Sequence, residues 1–259
     1  MNFKKRTIFK RCISILLVIA LIPVGNFVGV REAYAEITDN ALEKNITLSA
    51  NLNKEGNIEL QWNRSSEASK YVINRNGEEL KSIDNDTSAT NDILYVDKDL
   101  EANKEYTYAV VAFNSTDDKL GTCETVTVST PEELNISGDY TLDRNMTVYR
   151  VNQNGGSITL NGYTLNICKD YTHNRGNLYI GEGTVNCYGN YTGNGYAYID
   201  MNNANGKLNV SGKFTWNGYY KKSNFENGVI EVKGDVTFAN GSNFIASKYN
   251  KFIMSGSKK

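Results

Sequence analysis

The feature that most constrains the fold is a short phrase that recurs through residues 158–256. Each copy alternates apolar, polar and apolar residues and then passes into Gly, Asp, Asn or Lys before an aromatic residue or Val. The copies are 165–171, 185–191, 208–214, 230–236 and a weaker 252–256, and their starts lie 20, 23, 22 and 22 residues apart. A fixed period in the low twenties is typical of repeat architectures in which each unit stacks on the previous one.

Each repeat also contains a second strand-like piece before the phrase, with glycines between the two pieces. These pieces are 157–160, 177–180 and 197–201. Short strands separated by turns at this period predict a right-handed parallel β-helix, or β-solenoid, of about five coils over residues 131–259. Because one strand cannot bury an apolar row alone, equivalent residues of successive coils should form interior columns.

Three columns are predicted from the register of the copies. The first interior column is Leu165, Val185, Leu208 and Ile230. The second interior column is Ile167, Cys187, Val210 and Val232. The residues between them point outward and should stack as an amide ladder of Asn166, Asn186 and Asn209.

These phrases resemble the Gly- and Asn-rich β-solenoid repeats of large Gram-positive bacterial surface proteins, where such repeats follow fibronectin-like modules. The resemblance spans most of residues 134–259 and implies a structural or adhesive surface role. Because the last copy stops in mid-phrase before Ser257, we expect that further chain or another subunit covers that end.

The preceding segment, residues 36–130, is punctuated differently. About seven short alternating strands with turns such as Asn76-Gly77 predict an antiparallel sandwich. Trp62, Tyr71 and the pair Leu100 and Tyr106 make this segment similar to a fibronectin type III domain. The resemblance implies a tyrosine corner formed by Leu100 and Tyr106, in which the phenol hydrogen-bonds back to the backbone. Such domains act as spacers or binding modules.

Two features of this segment favour structural roles over binding. Trp62 shares a strand face with Leu60 and Ile58, so we expect it in the core rather than against a ligand. The acidic clusters 84–86 and 97–99 lack the spacing of a calcium loop, so we expect solvated loop charges there.

Residues 1–35 have the pattern of an export signal. Lys4, Lys5 and Arg6 belong to a basic start, an apolar run follows over 13–30, and Ala33-Tyr34-Ala35 fits a cleavage site before Glu36. The alternative is an uncleaved membrane anchor, which Pro23 and Asn26 within the run disfavour. We predict a secreted, extracellular protein that is associated with the cell surface and has no membrane contact after cleavage.

Charge argues against a nucleic-acid partner, and the cysteine positions argue against a disulfide. Without residues 1–35, the chain has 22 basic and 28 acidic residues, which argues against nucleic acid as a partner. Three cysteines remain, Cys123, Cys168 and Cys187. Because Cys168 and Cys187 occupy positions one residue apart in the phrase, their side chains should point to opposite faces, so packed, unpaired thiols are expected.

The sequence offers no catalytic constellation, metal-ligand spacing or cofactor fingerprint. Asp139, Asp170 and Asp235 recur in the turn position of the phrase and are interpreted as turn residues. His173, the only histidine, is expected in a surface loop. The predicted ligand-binding patch is aromatic and basic: Tyr196, Tyr198, Trp216, Tyr219, Tyr220, Lys221 and Lys222. The alternative is that these aromatic rings stack inside the coils.

The function predicted from these features is that of an exported, non-catalytic surface protein that serves as a stalk, an adhesive or a binding module. Its predicted partner is cell-wall glycan, extracellular polysaccharide or protein. Two alternatives remain open, a carbohydrate-active enzyme on a β-helix and a carbohydrate-binding module. Convergent Asp or Glu with Arg or Lys in a groove would favour the enzyme, and exposed aromatic rings would favour the binding module.

Overall fold

The computed structural model describes residues 46–219, 224–242, 244 and 247–256. The predicted signal segment, Tyr220, Lys221 and Lys222 therefore lie outside the described residues. Every regular element in the described part is a β-strand, and no helix there has the length and apolar character needed to cross a membrane. The first eight strands are β1 (Leu48–Leu52), β2 (Ile58–Trp62), β3 (Lys70–Arg75), β4 (Glu78–Asp84), β5 (Ile93–Asp97), β6 (Glu105–Phe113), β7 (Lys119–Thr122) and β8 (Val126–Ser129).

These strands form two antiparallel sheets that share one hydrophobic core. One sheet has the order β1-β2-β5, and the other has the order β4-β3-β6-β7 with β8 also paired to β6. Alternate residues of β2 and β6 point into the common cluster, because successive side chains of a strand face opposite sides. Trp62 is fully buried there, as predicted. The sequence pattern missed β4, which is mostly exposed and so carries little apolar alternation, and β7, which is only four residues long and contains one large apolar residue, Leu120.

Polar contacts fix the ends of two strands in this region. The Glu101 backbone N–H donates to the Tyr106 hydroxyl at 2.8 Å, a phenol–backbone bond of the kind that the resemblance implied. The expectation of solvated charges at 97–99 is wrong for Asp97, which is 2% exposed. Its carboxylate accepts from the Arg75 guanidinium at 2.9 Å and from the Tyr108 hydroxyl at 2.7 Å, which compensates its burial. Burial, followed by the hydrogen bond and charge of Asp97, raises the pKa of Tyr108.

The following fourteen strands form a parallel β-solenoid of about five coils. They are β9 (Leu134–Ile136), β10 (Tyr140–Thr141), β11 (Met146–Val148), β12 (Val151–Thr159), β13 (Thr164–Ile167), β14 (Tyr171–Tyr179), β15 (Thr184–Cys187), β16 (Tyr191–Met201), β17 (Lys207–Val210), β18 (Phe214–Gly218), β19 (Asn224–Phe225), β20 (Val229–Val232), β21 (Val236–Phe238) and β22 (Lys251–Met254). Short strands stack in the order β11-β13-β15-β17-β20-β22, and long ones in the order β10-β12-β14-β16-β18-β21.

The predicted columns are confirmed by the strand register. Leu165 pairs with Val185, Val185 with Leu208, and Leu208 with Ile230. The members of both interior columns are at most 1% exposed. The predicted asparagine ladder also forms, since Asn186 donates to Asn166 at 2.9 Å and Asn209 donates to Asn186 at 2.8 Å. Each coil is therefore held by backbone bonds, buried apolar contacts and an outer amide chain.

The inward row of the long strands is partly polar, which the sequence reading did not foresee. Gln153 and His173 occupy equivalent positions and are both 0% exposed, so the prediction of a surface-loop histidine is wrong. The Tyr171 hydroxyl donates to the Gln153 Oε1 at 2.6 Å. His173 Nε2 lies 2.9 Å from the Gly176 carbonyl, which only accepts, so Nδ1 accepts from the Tyr191 hydroxyl at 2.8 Å. These two coils thus satisfy their buried polar side chains with help from the next coil.

The antiparallel region contacts the flank of the solenoid. The Lys169 ammonium donates to the Asn57 amide oxygen at 2.7 Å, and the Tyr149 hydroxyl donates to the Leu100 carbonyl. Gly56 packs so closely on Cys168 that an added Cβ would lie 2.8 Å from the cysteine Cβ. Cys123, Cys168 and Cys187 are unpaired and buried, as expected.

Candidate functional site

A glycine-lined bend in the long strands creates a concavity on the solenoid surface near the predicted patch. The pairing of β12 with β14 and of β14 with β16 shifts register at this bend. Gly156 and Gly176 have positive φ values of 60° and 100°, which residues with a side chain rarely adopt. A Cβ on Gly176 would also overlap the Gly156 carbonyl oxygen. The close approach of successive coils therefore requires glycine and leaves room outside for a groove.

The groove has a volume of about 400 Å³. Its lining combines polar and aromatic side chains from four successive coils: Asp139, Ser157, Arg175, Asn177, Tyr196 and Tyr198. Strand register sets their order, since Arg175 pairs with Tyr196, and Asn177 pairs with both Ser157 and Tyr198. The groove therefore crosses neighbouring strands rather than following one strand.

Two tyrosine rings and one guanidinium form the exposed part of the site. The Arg175 guanidinium carbon lies 4.9 Å from the centre of the Tyr196 ring, within the range of a cation–π contact. The Tyr196 and Tyr219 rings are 5.7 Å apart and inclined by 57°. Tyr196 is 40% exposed and Tyr219 is 58% exposed, so both rings keep surface for a ligand. Their mutual contact and the arginine restrain the rings before any ligand binds.

Tyr198 differs from these two tyrosines because it is largely enclosed. It is 8% exposed, and its hydroxyl lies 3.5 Å from the Asp200 carboxylate. Burial, followed by the charge of Asp200, raises the pKa of the Tyr198 phenol. The hydroxyl therefore stays protonated and donates at neutral pH, so Tyr198 forms part of the groove wall.

The structure corrects one member of the predicted patch, Trp216. Trp216 is 0% exposed and lies in the solenoid core beside Phe214, with ring centres 6.3 Å apart, so it is unable to stack on a ligand. Its ring fills the space above Gly193, where a Cβ would overlap it. This interior position was the alternative interpretation of the aromatic residues. Tyr220, Lys221 and Lys222 lie outside the described residues.

Sequence reasoning missed the polar half of the groove. Arg175, Asn177 and Ser157 were not predicted as site residues because they lie outside the repeated phrase, and Asp139 was interpreted as a turn residue of that phrase. The sequence signal that could have revealed them is the length of successive coils. The step from Tyr171 to Tyr191 is 20 residues, whereas Arg175 pairs with Tyr196, so one additional residue enters the later coil between these pairs. Aligning the coils with that insertion places Tyr196 beside Arg175.

The chemistry of the groove favours recognition through ring faces and hydrogen bonds. In the described part of the chain, no three His, Cys, Asp or Glu residues are grouped so that they could hold a metal ion. His173 is sealed in the core, and burial lowers its pKa to about 4. Burial also raises the pKa of Cys187 to about 12, which keeps it a protonated thiol. The accessible groups are instead tyrosine rings, a guanidinium, a carboxylate, an amide and a hydroxyl.

Comparison with known proteins adds little to this geometry. Neither a scan against protein-family models nor a search of curated proteins gives a match. Among solved structures, pectate lyase PelI from Erwinia chrysanthemi in complex with tetragalacturonic acid matches at 15% identity and a TM-score of 0.28, covering 80% of this chain and 84% of that one. Pectate lyase Pel3 from Pectobacterium carotovorum matches at 12% identity and a TM-score of 0.27, covering 75% and 79%. Superpositions this loose carry no argument about function, so the solenoid assignment depends on the strand register.

Proposed function

We propose that this protein is an exported carbohydrate-binding protein whose solenoid holds the binding groove on a rigid frame. The observation that carries the proposal is the group of Arg175, Tyr196 and Tyr219, two restrained and exposed rings beside one guanidinium. Aromatic faces are suited to the apolar faces of sugar rings, and the neighbouring polar groups are suited to sugar hydroxyls. The ligand class is extracellular polysaccharide or cell-wall glycan.

The neighbouring polar residues give the groove its selectivity. Asp139, Ser157 and Asn177 supply acceptors and donors within the same groove as the tyrosine rings. A site that hydrogen-bonds a ligand hydroxyl discriminates strongly against an analogue that lacks it. The groove should therefore prefer sugars whose hydroxyl pattern matches these three residues over apolar ligands of equal size.

The experiment is a glycan-array screen of the mature chain followed by calorimetric titration with the strongest oligosaccharide. Tyr196→Ala and Tyr219→Ala should each weaken binding roughly fivefold to tenfold, because each removes one stacking face. Tyr249→Ala is the matched control, since Tyr249 is 63% exposed but belongs to the last coil. Equal affinity in all three variants, or no bound glycan in the screen, would remove the basis of the proposal.

A second candidate function is cleavage of an acidic polysaccharide. The observation in its favour is that Asp139 and Arg175 line the same groove and offer a carboxylate and a cation to one bound ligand. Incubation with polygalacturonate, followed by absorbance and chromatography of the products, separates the two functions. Binding without shortening of the polymer supports the binding protein, and new chain ends that disappear in Arg175→Gln support the enzyme.

Under the same proposal, the antiparallel region is a fibronectin type III-like domain. The strand order of its two sheets and the bond between Glu101 and the Tyr106 hydroxyl are consistent with a fibronectin type III-like sandwich over residues 36–130. This module would act as a spacer before a right-handed solenoid over residues 131–259. Export of a Gram-positive surface protein is tested by mass spectrometry of the secreted chain, which should begin at Glu36.

A further inference from the structure

A flat polar face lies beside the groove on the outside of the long solenoid strands. Its first column consists of Thr172, Thr192, Thr215 and Thr237, which pair in register through β14, β16, β18 and β21. The second column, two residues further along each strand, consists of Asn154, Asn174, Asn194 and Asn217. Since residues two apart share one face of a strand, each of three successive coils presents a threonine and an asparagine side by side.

The asparagine column holds this face in a fixed arrangement. Asn174 donates to Asn154 at 2.9 Å, Asn194 to Asn174 at 2.9 Å, and Asn217 to Asn194 at 3.2 Å. The inner amides, Asn174 and Asn194, each use one N–H and the oxygen in this chain, which leaves a second N–H for another partner. The ladder therefore immobilises a row of donors at the spacing of the coils, about 4.8 Å.

The threonine hydroxyls are available to a ligand. Among the described residues, none of the four hydroxyls has a hydrogen-bonding partner in the protein, and all four residues are at least partly exposed to solvent. Each hydroxyl can donate one bond and accept two. The column thus repeats one unused donor and acceptor per coil over a length of about 14 Å.

We infer that this threonine–asparagine face binds a neutral, unbranched polysaccharide that lies along the solenoid axis. The repeat along the axis is close to the length of one extended sugar unit, so successive sugars would meet the same hydroxyl and amide on successive coils. The face is continuous with the groove, because Asn174 directly precedes Arg175.

Charge decides the class of polymer. The column that precedes the threonines contains Asp170, Asn190, Lys213 and Asp235, and Arg175 borders the other side. Two acidic and two basic groups leave no net positive charge to compensate an acidic polymer. A surface that binds ice needs no charged residues. The charged border therefore also distinguishes this face from an ice-binding surface.

The test uses the mature chain and cello-oligosaccharides from the disaccharide to the hexasaccharide, with oligogalacturonides of equal length for comparison. Affinity for the neutral series should rise with each sugar up to about the tetrasaccharide and then level off, because four threonines form the column. The triple variant Thr172→Val, Thr192→Val and Thr215→Val keeps the β-branched shape and should bind the tetrasaccharide roughly tenfold to a hundredfold more weakly. Thr164→Val with Thr184→Val is the matched control on the other sheet.

The outcomes also separate this face from the groove. Tyr196→Ala should leave the chain-length dependence in place if the face is a binding surface of its own. Loss of all binding in Tyr196→Ala with no effect of the threonine variant would overturn the inference while preserving the proposed groove. Stronger binding of the acidic series, ice-growth inhibition without glycan binding, or no binding of the neutral series would also overturn it.

Discussion

The antiparallel region of residues 48–129 and the solenoid of residues 134–254 bury apolar side chains in different ways. In the antiparallel region a core residue packs against unlike neighbours, as Trp62 does against Tyr71 at 5.9 Å between ring centres. In the solenoid a core residue lies over its own equivalent, as Tyr171 lies over Tyr191 at 4.8 Å. The regular repetition of core residues along the solenoid therefore reflects its fold. Coils that depart from this repetition mark positions where residues serve something other than stacking.

The groove lies at such a departure. Coils around β12 and β14 follow the short period, whereas β16 contains the additional residue that places Tyr196 opposite Arg175. Gly193 then replaces the polar Gln153 and His173 of earlier coils and accommodates the Trp216 ring. The interior thus changes from polar to aromatic in the same coils that carry the exposed tyrosines.

The largest expected effect is on the free energy of unfolding, and it is measured by substituting one glycine in each region. Gly176→Ala should cost about 4 kcal/mol of unfolding free energy, because it combines a positive φ with overlap on the Gly156 carbonyl. Gly77→Ala, in a hairpin of the antiparallel region, also has a positive φ but meets no atom within 4 Å, so about 1 kcal/mol is expected. Urea denaturation measures both, and equal costs would contradict the close stacking of coils.

The second effect is a pH dependence that arises in the solenoid core. Burial lowers the pKa of His173 to about 4 from an ordinary value of 6.5. The unfolded chain therefore binds more protons between these values, so stability is complete above about pH 6.5 and declines by up to about 3 kcal/mol as the pH falls to about 4. Tyr191 does not contribute, because burial raises its phenol pKa well above the ordinary value.

A single substitution isolates this effect. His173→Gln reproduces the side chain of the preceding coil, where Gln153 accepts from Tyr171 and donates to the Asn177 carbonyl at 2.9 Å. The variant should remain folded and lose the decline between pH 6.5 and 4 when unfolding is followed by calorimetry. An unchanged pH profile would place the titrating group elsewhere.

A smaller effect separates outward residues of the two regions. Asn186→Ala removes two amide bonds of the ladder and should cost about 1–2 kcal/mol by urea denaturation. Ser82→Ala, on the exposed side of β4, removes a comparable polar group outside any ladder and should cost less than about 0.5 kcal/mol. Similar values for both would mean that the ladder adds nothing to the stability of the coils.

The smallest effect concerns the contact between the regions. Lys169→Met removes the 2.7 Å bond to Asn57 and the ammonium 5.7 Å from the centre of the Tyr149 ring. Because this lysine is only partly buried, the expected loss is below about 1 kcal/mol. Faster amide hydrogen exchange in residues 53–57 of the variant would show the loosened contact, and unchanged exchange would assign the contact to the Gly56–Cys168 packing.

The solenoid was more predictable from sequence than the groove, for a physical reason. Each interior column repeats its constraint in every coil, so Leu165, Val185, Leu208 and Ile230 reinforce one pattern. The groove residues Arg175 and Asn177 appear once and join only through a register shift, which apolar periodicity does not encode. Trp216 was placed wrongly in the exposed patch because exposed and buried tryptophans look alike in sequence. Only the structure showed that Gly193 in the neighbouring coil leaves space for its ring.

The most direct test of the account is a backbone NMR titration of the mature chain with the strongest-binding oligosaccharide. Amide shift changes are predicted at residues 175–177 and 196–198, with further changes along the threonine column at 172, 192 and 215. Little change is predicted at the asparagine ladder of 166, 186 and 209. Shift changes centred on that ladder or on the antiparallel region, with the groove amides unaffected, would contradict it.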